Sequence, residues 1–238
     1  MQIIGSKKVI NDLLDQVIDN YRVGEAEQVC DDVHQLILVH KVRFPVLQHA
    51  AQRLFEVLKP VDLMPFCDAT HRRATIGGNV LIGIILQCQL SHEYRQSLNL
   101  ACQYIADSDT WYVCDIIGER VFGFALLNNP YKAMADVEKL LSHDSEQVVR
   151  ALGAGMHLAV KKGLSPEYCE RLLLLILPTV SNSQPVRQGL GWAAKTIAKF
   201  HADLIHRHVP DIATADMAPW LRRKILIGLE RNRYASSG

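Results

Sequence analysis

The sequence predicts an all-α protein in which antiparallel helix pairs are stacked one after another as a solenoid. Apolar residues recur at three- and four-residue spacing along the whole chain. No stretch alternates apolar and polar residues with an enrichment in β-branched side chains, so strands are not expected. Pro and Gly residues separate the apolar stripes. These observations favour about a dozen helices of roughly 10–20 residues joined by short loops.

The helix starts are predicted from capping residues and prolines. Ser6 is placed to accept a hydrogen bond from the first turn of the first helix. The apolar stripe of that helix consists of Val9, Ile10, Leu13, Leu14, Val17 and Ile18, and the next stripe consists of Val29, Cys30, Val33, Leu36 and Ile37. Four prolines are predicted in first helical turns: Pro45, Pro130, Pro166 and Pro185. Gly163 followed by Ser165 predicts the end of one helix and the cap of the next.

Helix pairs without a long linker are compatible with a large bundle or with an α-solenoid. The pairs lack the consensus residues of tetratricopeptide and ankyrin repeats, which favours degenerate HEAT-like repeats. We therefore predict a right-handed α-solenoid of about six antiparallel helix pairs with a concave cleft. It would form one domain over residues 1–234, followed by a frayed tail over residues 235–238.

Composition favours a cytoplasmic protein without metal, cofactor or membrane anchor. Apolar runs such as residues 172–177 are far shorter than the roughly 20 residues that span a bilayer. The first residues lack the regions of a signal peptide. Six cysteines are widely spaced, without a C-x-x-C pair, and are predicted to be reduced thiols within helices. His201, His206 and His208 do not share one helical face and are interpreted as surface histidines.

The net charge of +1 hides an asymmetry between the two parts of the chain. Residues 1–144 carry 13 Lys and Arg against 18 Asp and Glu, a net charge of −5. Residues 145–238 carry 13 against 7, a net charge of +6. The basic part can attract a phosphate backbone, although solvated helix faces also produce such imbalances.

A dinucleotide-binding motif is excluded at residues 189–194, although G-L-G-W-A-A fits its loose G-x-G-x-x-A form. That motif needs a preceding strand, so that its turn places a pyrophosphate at a helix N-terminus. Here Ser183, Gln184 and Pro185 precede the glycines, which fall inside a helical pattern.

The segment at residues 109–118 places a tryptophan and a carboxylate together. At about 100° per residue, its core side carries Val113, Ile116, Ile117 and Phe124, and its other side carries Trp111, Asp115, Gly118 and Phe122. A large aromatic side chain beside a carboxylate, away from the core, indicates a functional face. The alternative is that this face packs against the neighbouring repeat.

The helix predicted after Ser145 presents a basic ridge. Its core stripe is Val148, Leu152, Met156 and Ala159, and its other face carries Arg150, Ala154, His157 and Lys161. A basic ridge with a small residue in the middle suits a phosphate backbone, and an ordinary solvated face would have the same pattern.

The helix beginning near residue 186 presents an aromatic residue among lysines. Its core stripe is Val186, Leu190, Ala194, Ile197 and Leu204, and Trp192 projects opposite, flanked by Gln188, Lys195, Thr196 and Lys199. Such a mixture is typical of nucleic-acid-binding surfaces. In a superhelix, the three functional faces can converge on one groove.

These residues resemble a known family. Trp111 and Asp115, spaced W-x-x-x-D and followed by I-I-G, are similar to the tryptophan–aspartate motif of the AlkD-type DNA alkylation repair glycosylases. V-R-Q-G-L-G-W-A at residues 186–193 resembles that family's later I-R-K-x-x-G-W-x segment. Arg150 falls where the family has an arginine that contacts DNA, and W-L-R-R-K at residues 220–224 is similar to its last helix.

The resemblance implies a HEAT-like solenoid that removes cationic N-alkylated purines from DNA without flipping the base into a pocket. Asp115 is then the catalytic residue, and Trp111 and Trp192 contact the nucleotide. The DNA backbone would be held by Arg150, Lys161, Arg187, Lys195 and Lys199. The chain departs from the family pattern at Tyr112, where members usually have an acidic residue, and lacks a W-x-x-R-R pattern before Arg150.

Three functions therefore remain open. The first is a monomeric glycosylase that acts on duplex DNA carrying lesions of the 3-methyladenine or 7-methylguanine type. The second is a non-catalytic DNA-binding solenoid that prefers bent or branched DNA. The third is a protein-binding HEAT scaffold that docks partners through its acidic N-terminal half.

Overall fold

The computed structural model describes residues 3–108, 110–213 and 216–232. It confirms the all-α class and is consistent with an α-solenoid. The chain divides into two compact units, Met1–Tyr104 and Ile105–Gly238. The handedness, the number of helix pairs and the single domain over residues 1–234 stay predictions. The predicted tail at residues 235–238 lies outside the described residues.

The first unit contains five helices among its described residues and most of a sixth, whose last two residues belong to the second unit. Their bounds are α1 (Lys7–Asn20), α2 (Ala26–Val33), α3 (Phe44–Val57), α4 (Pro60–Arg72), α5 (Ile76–Gln89) and α6 (Tyr94–Ala106), and a π-helical segment (His34–Leu38) continues α2. Two short strands, β1 (Ile3–Ile4) and β2 (Lys41–Val42), pair in parallel. The expectation that there are no strands is wrong at this point, because two residues are too few to leave a periodic pattern.

The second unit holds the helices that the sequence marks as functional. Their bounds are α7 (Trp111–Gly118), α8 (Phe124–Asn128), α9 (Pro130–Leu141), α10 (Glu146–Lys161), α11 (Pro166–Ile176), α12 (Gln184–Phe200), α13 (Ala202–His208) and α14 (Pro219–Asn232). A π-helical segment (Glu119–Gly123) joins α7 to α8.

The capping residues begin and end helices where the sequence predicts. The Ser6 hydroxyl accepts a hydrogen bond from the Val9 amide at 3.4 Å. The four predicted prolines lie in the first turns of α3, α9, α11 and α12. Gly163 follows α10 with a φ of +95°, a conformation that favours glycine. The sequence predicts these positions because a capping interaction involves only residues that are close together in the chain.

Alternate helices pack side by side, as expected for stacked helix pairs. In the first unit α3 contacts α1 and α5, and α2 contacts α4. In the second unit α10 contacts α7 and α12, and α12 contacts α14, so that these four helices form one row. The predicted core stripes of α10 and α12 face inward, and Leu152, Met156, Leu190 and Ile197 are all buried.

Glycines let neighbouring helices of this row approach backbone to backbone. A Cβ on Gly153 of α10 would lie 2.1 Å from the carbonyl carbon of Gly189 on α12. A Cβ on Gly118 of α7 would lie 2.3 Å from the Ala151 carbonyl oxygen. Any larger residue would push the helices apart. The side chains of α7, α10 and α12 are thereby brought within reach of one another.

Burial predicted from helical phase is wrong where the helix is not a regular α-helix, or where a second helix covers the face that was predicted to be exposed. Phe122, predicted on the polar face, is buried, because the π-helical segment after Gly118 interrupts the regular 100° phase. Ala154, predicted on the basic ridge, is fully buried because α10 packs between two other helices. Leu204 is buried as predicted but belongs to α13, since α12 ends at Phe200.

The six cysteines lie in helices as free thiols, as predicted. No helix in the described part of the chain is long and apolar enough to cross a membrane. Within residues 3–108, 110–213 and 216–232, no three His, Cys, Asp or Glu side chains are grouped so as to hold a metal ion.

Candidate functional site

A cavity of about 560 Å³ opens along the helix row of the second unit. It is lined by Trp111, Asp115, Arg150, Gln184, Gln188, Gly189, Trp192, Lys195 and Lys224. These residues belong to α7, α10, α12 and α14. The structure thus brings together five of the eight residues that the sequence marks as functional, from three separate segments. Three cations and one carboxylate lie among the lining residues, so the cavity has a net positive charge.

Asp115 and Arg150 form a two-point ion pair at the cavity wall. Arg150 Nε donates to Asp115 Oδ1 at 3.1 Å, and Arg150 Nη2 donates to Oδ2 at 3.0 Å. Both side chains are mostly shielded from solvent: 13% of the Arg150 side-chain surface and 19% of the Asp115 side-chain surface are exposed. Arg150 Nη1 also donates to the Gln188 side chain on α12. The predicted phosphate-binding arginine is therefore engaged with the predicted catalytic carboxylate.

Trp111 lies exposed at the first residue of α7. Its exposed fraction is 61%, as its predicted position opposite the core requires. The Arg150 guanidinium carbon is 5.9 Å from the centroid of its ring. A cation therefore already lies near this indole, at the distance of a cation–π contact.

Trp192 lines the cavity from α12 and is half-buried. The ring of His157 on α10 stacks on it, with a centroid distance of 4.0 Å and an interplanar angle of 24°. His157 Nδ1 is 2.7 Å from the Thr196 hydroxyl oxygen. Burial, with Lys161 and Lys195 nearby, lowers the pKa of His157 to about 4. His157 is thus neutral at physiological pH and contributes no charge to the predicted basic ridge.

The other predicted backbone contacts are distributed unequally. Lys195 lines the cavity, and its pKa is lowered by burial and by the charges of Lys224 and Arg231. Lys161 is exposed at the end of α10 and does not line the cavity. Lys199 places its ammonium 4.9 Å from the ring of Phe200.

Arg187 also does not line the cavity. Its Nε donates to the Ser181 carbonyl at 2.8 Å, and its Nη2 donates to the Asn182 carbonyl at 2.7 Å. These bonds hold the loop that leads into α12.

Sequence reasoning missed Gln184 and Lys224 as lining residues and treated Gln188 only as a neighbour of Trp192. Gln188 could have been found, since it lies four residues before Trp192 and so on the same helical face. Lys224 lies in the W-L-R-R-K segment noted for its family resemblance, but helical phase alone does not show that its side chain faces α12. A Cβ on Gly191 would lie 2.9 Å from Lys224 Cγ, so the small residue at 191 leaves room for that lysine.

Burial disfavours the charged form of two ionisable side chains that lie close to Asp115 in sequence. Burial raises the pKa of the Cys114 thiol to about 11, against the opposing charge of Arg150. Cys114 Sγ donates to Gln147 Oε1 at 3.2 Å. Burial also raises the pKa of Glu119, which follows Asp115 by one helical turn. Asp115 is the one carboxylate among the described residues that line the cavity.

In a comparison with known families, residues 40–226 match a family described as DNA alkylation repair enzyme. The matched region contains every residue that lines the cavity. Neither the curated proteins nor the solved structures contain a significant match to this chain.

Proposed function

The chain belongs to the DNA alkylation repair enzyme family, and we propose on that basis that it is a DNA glycosylase. Its substrate would be duplex DNA that carries cationic N3- or N7-alkylated purines. The observation that carries this proposal is the placement of one carboxylate, Asp115, in a cavity with Trp111 and Trp192.

One carboxylate is enough for this substrate class. An N3- or N7-alkylated purine already carries a positive charge, so it leaves as a neutral base when the bond from sugar C1′ to the base nitrogen breaks. No general acid is required, whereas glycosidases that expel an alkoxide use two carboxyl groups. The bonding electrons go with the base, and the sugar becomes an oxocarbenium ion.

Asp115 would act on that cationic sugar. A carboxylate in a cavity wall that is shielded from solvent stabilises developing positive charge more strongly than the same group would in bulk water. Asp115 also orients a water molecule toward C1′ and takes the proton that this water loses. The products are a neutral alkylpurine and an abasic site. Asp115 then passes the proton that it took from water to the solvent, which restores the carboxylate and balances the positive charge of the substrate.

The two tryptophans would hold the nucleotide. Each indole face attracts a cation by about 0.5–2 kcal/mol, and an alkylated purine is a planar cation that suits such contacts. Trp111 is the more exposed of the two, and Trp192 is supported from behind. An unmodified purine lacks the charge, so these contacts favour damaged bases.

Arg150 would exchange one anion for another when DNA binds. In the DNA-free protein its guanidinium neutralises Asp115. A backbone phosphate competes for the same donors, because phosphate and carboxylate both match the two-point geometry of a guanidinium. When Arg150 binds a phosphate, the Asp115 carboxylate loses its positively charged partner. The cationic nucleotide then takes the place of the guanidinium beside Asp115.

The remaining cations would contact the flanking backbone. Lys195 and Lys224 line the cavity, which supports this role for them. Lys161, Arg187 and Lys199 lie outside it and would contact phosphates farther from the lesion. Such contacts make binding salt-dependent but not selective for sequence.

A second candidate function is non-catalytic binding of DNA. The Asp115–Arg150 ion pair favours it, because a neutralised carboxylate stabilises a cation poorly. The deciding experiment measures release of 3-methyladenine and 7-methylguanine from methylated duplex by chromatography and mass spectrometry. Release that depends on Asp115 supports the glycosylase; salt-sensitive binding without release supports the second candidate. Absence of DNA binding would leave the protein-binding scaffold.

A further inference from the structure

We propose that His157 is a positioning residue for Trp192, which fixes the indole at the cavity wall so that it can receive the cationic purine. His157 stacks on Trp192 but does not itself line the cavity. The inference rests on the proposed function, because it concerns how that substrate is recognised.

Both rings of the stack are held by α12: Trp192 belongs to this helix, and the His157 ring is hydrogen-bonded to Thr196 of the same helix. The Thr196 hydroxyl donates to the Trp192 carbonyl at 2.9 Å, so its oxygen accepts from His157 Nδ1 at 2.7 Å. Thr196 is only 4% exposed, which makes the bond difficult for water to replace. The ring of His157 is thus held by the same helix whose tryptophan it supports.

These bonds also determine the tautomer of His157. Since the hydroxyl proton of Thr196 is committed to the Trp192 carbonyl, the proton between Thr196 and His157 belongs to Nδ1. The bond through that proton holds the imidazole ring stacked on the indole, at an interplanar angle of 24°. The bond to Thr196 adds to the stacking contact by orienting the ring, whereas the stacking contact itself requires only an aromatic side chain.

The absence of charge on this ring matters for cation recognition. A protonated imidazole on one face of an indole would itself be a cation–π partner and would repel a second cation on the other side. Burial and the charges of Lys161 and Lys195 keep His157 neutral. The indole therefore remains available to one cation, the nucleotide.

The test compares His157→Ala, which removes the stack, with His157→Phe, which keeps an aromatic ring without the Nδ1 donor. His206→Ala is the matched control, since His206 is an exposed histidine on α13. The first readout is the indole N–H resonance of Trp192 in DNA-free protein, assigned with Trp192→Phe. The second is kcat and KM for release of 7-methylguanine from a duplex with one such lesion.

We expect His157→Ala to shift or broaden the Trp192 resonance and to lower kcat/KM about fivefold, mainly through KM. His157→Phe should restore kcat/KM to within about twofold, and His206→Ala should change nothing. In a Trp192→Ala background, His157→Ala should have no further effect on release.

An unchanged Trp192 resonance in His157→Ala would overturn the inference, as would equal losses in the single and Trp192→Ala backgrounds. These outcomes differ from failure of the proposed function. If the unaltered protein releases no base, the glycosylase proposal is lost, while the indole resonance still decides whether His157 positions Trp192.

Discussion

Arg150 on α10 holds Asp115 on α7 through two hydrogen-bonded contacts of 3.1 and 3.0 Å, although 35 residues separate them in sequence. The proposed catalytic group and the proposed phosphate ligand are therefore one unit in the DNA-free protein. Substitution of either residue changes the environment of the other. The Asp115→Asn prediction takes this coupling into account.

Asp115→Asn is expected to keep folding and DNA binding while reducing base release at least about tenfold. A neutral amide preserves size and can still accept a bond from Arg150, but it cannot stabilise positive charge on the sugar. Release from methylated duplex is measured under single-turnover conditions for both proteins, with binding to unmodified duplex as the control. Equal rates would remove Asp115 from the mechanism.

Arg150→Ala is expected to weaken binding to damaged and undamaged duplex about equally and to reduce the salt slope by about one unit, because one phosphate contact is lost. Lys161→Ala, outside the cavity, tests whether a distant contact behaves in the same way. Titrations at several salt concentrations provide the slopes. A loss confined to lesion-bearing DNA would place Arg150 at the base.

Trp192→Ala and Leu190→Ala separate function from packing on one helix. Trp192 is half-buried at the cavity, so its truncation should cost about 1–2 kcal/mol of unfolding free energy while reducing base release. Leu190 is fully buried, so its truncation should cost about 3 kcal/mol and spare the activity of the folded fraction. Thermal melts and release assays measure both. If Trp192→Ala lowers the unfolding free energy as much as Leu190→Ala does, Trp192 is part of the hydrophobic core.

Gly153→Ala is expected to destabilise the protein by more than about 2 kcal/mol, since its Cβ would lie 2.1 Å from the backbone of Gly189. Gly191→Ala is the matched control. The nearest atoms to its Cβ would belong to the Lys224 side chain, with Cγ at 2.9 Å, so that side chain must shift but no backbone contact is forced. Alanine also favours a helix by about 0.5–1 kcal/mol over glycine. Chemical denaturation compares the two. Similar stability losses would contradict backbone contact as the reason for Gly153.

His157 should make stability depend on pH in the acidic range. Its pKa in the folded protein, about 4, lies below the ordinary value of 6.5, so the unfolded chain binds its proton first as pH falls. Stability contributed by the neutral ring is present above pH 6.5 and is lost between there and about pH 4. Allowing for solvent screening of a half-buried ring, the loss is about 2 kcal/mol.

Denaturation of His157→Gln and of the unaltered protein at several pH values isolates this contribution. The variant should show a flatter decline between pH 6.5 and 4, and His206→Gln should follow the unaltered protein. Parallel curves for all three proteins would mean that His157 titrates normally.

The sequence by itself determined the all-α class, the helix starts at Ser6 and Pro185, and the exposed position of Trp111. Each depends on interactions within one helix, which a periodic pattern or a cap residue records directly. The grouping of Trp111 with Asp115 on one face had the same local origin.

Only the tertiary structure showed which residues of other helices contact the polar faces of α7, α10 and α12. Arg150 is paired with Asp115, His157 is uncharged beneath Trp192, and Lys224 completes the cavity from the last helix. Helical phase shows which side of a helix is apolar, but it does not identify the neighbour that covers the opposite side. Charge, burial and pairing at these residues come from other helices, brought close where Gly153 and Gly189 allow two backbones to touch.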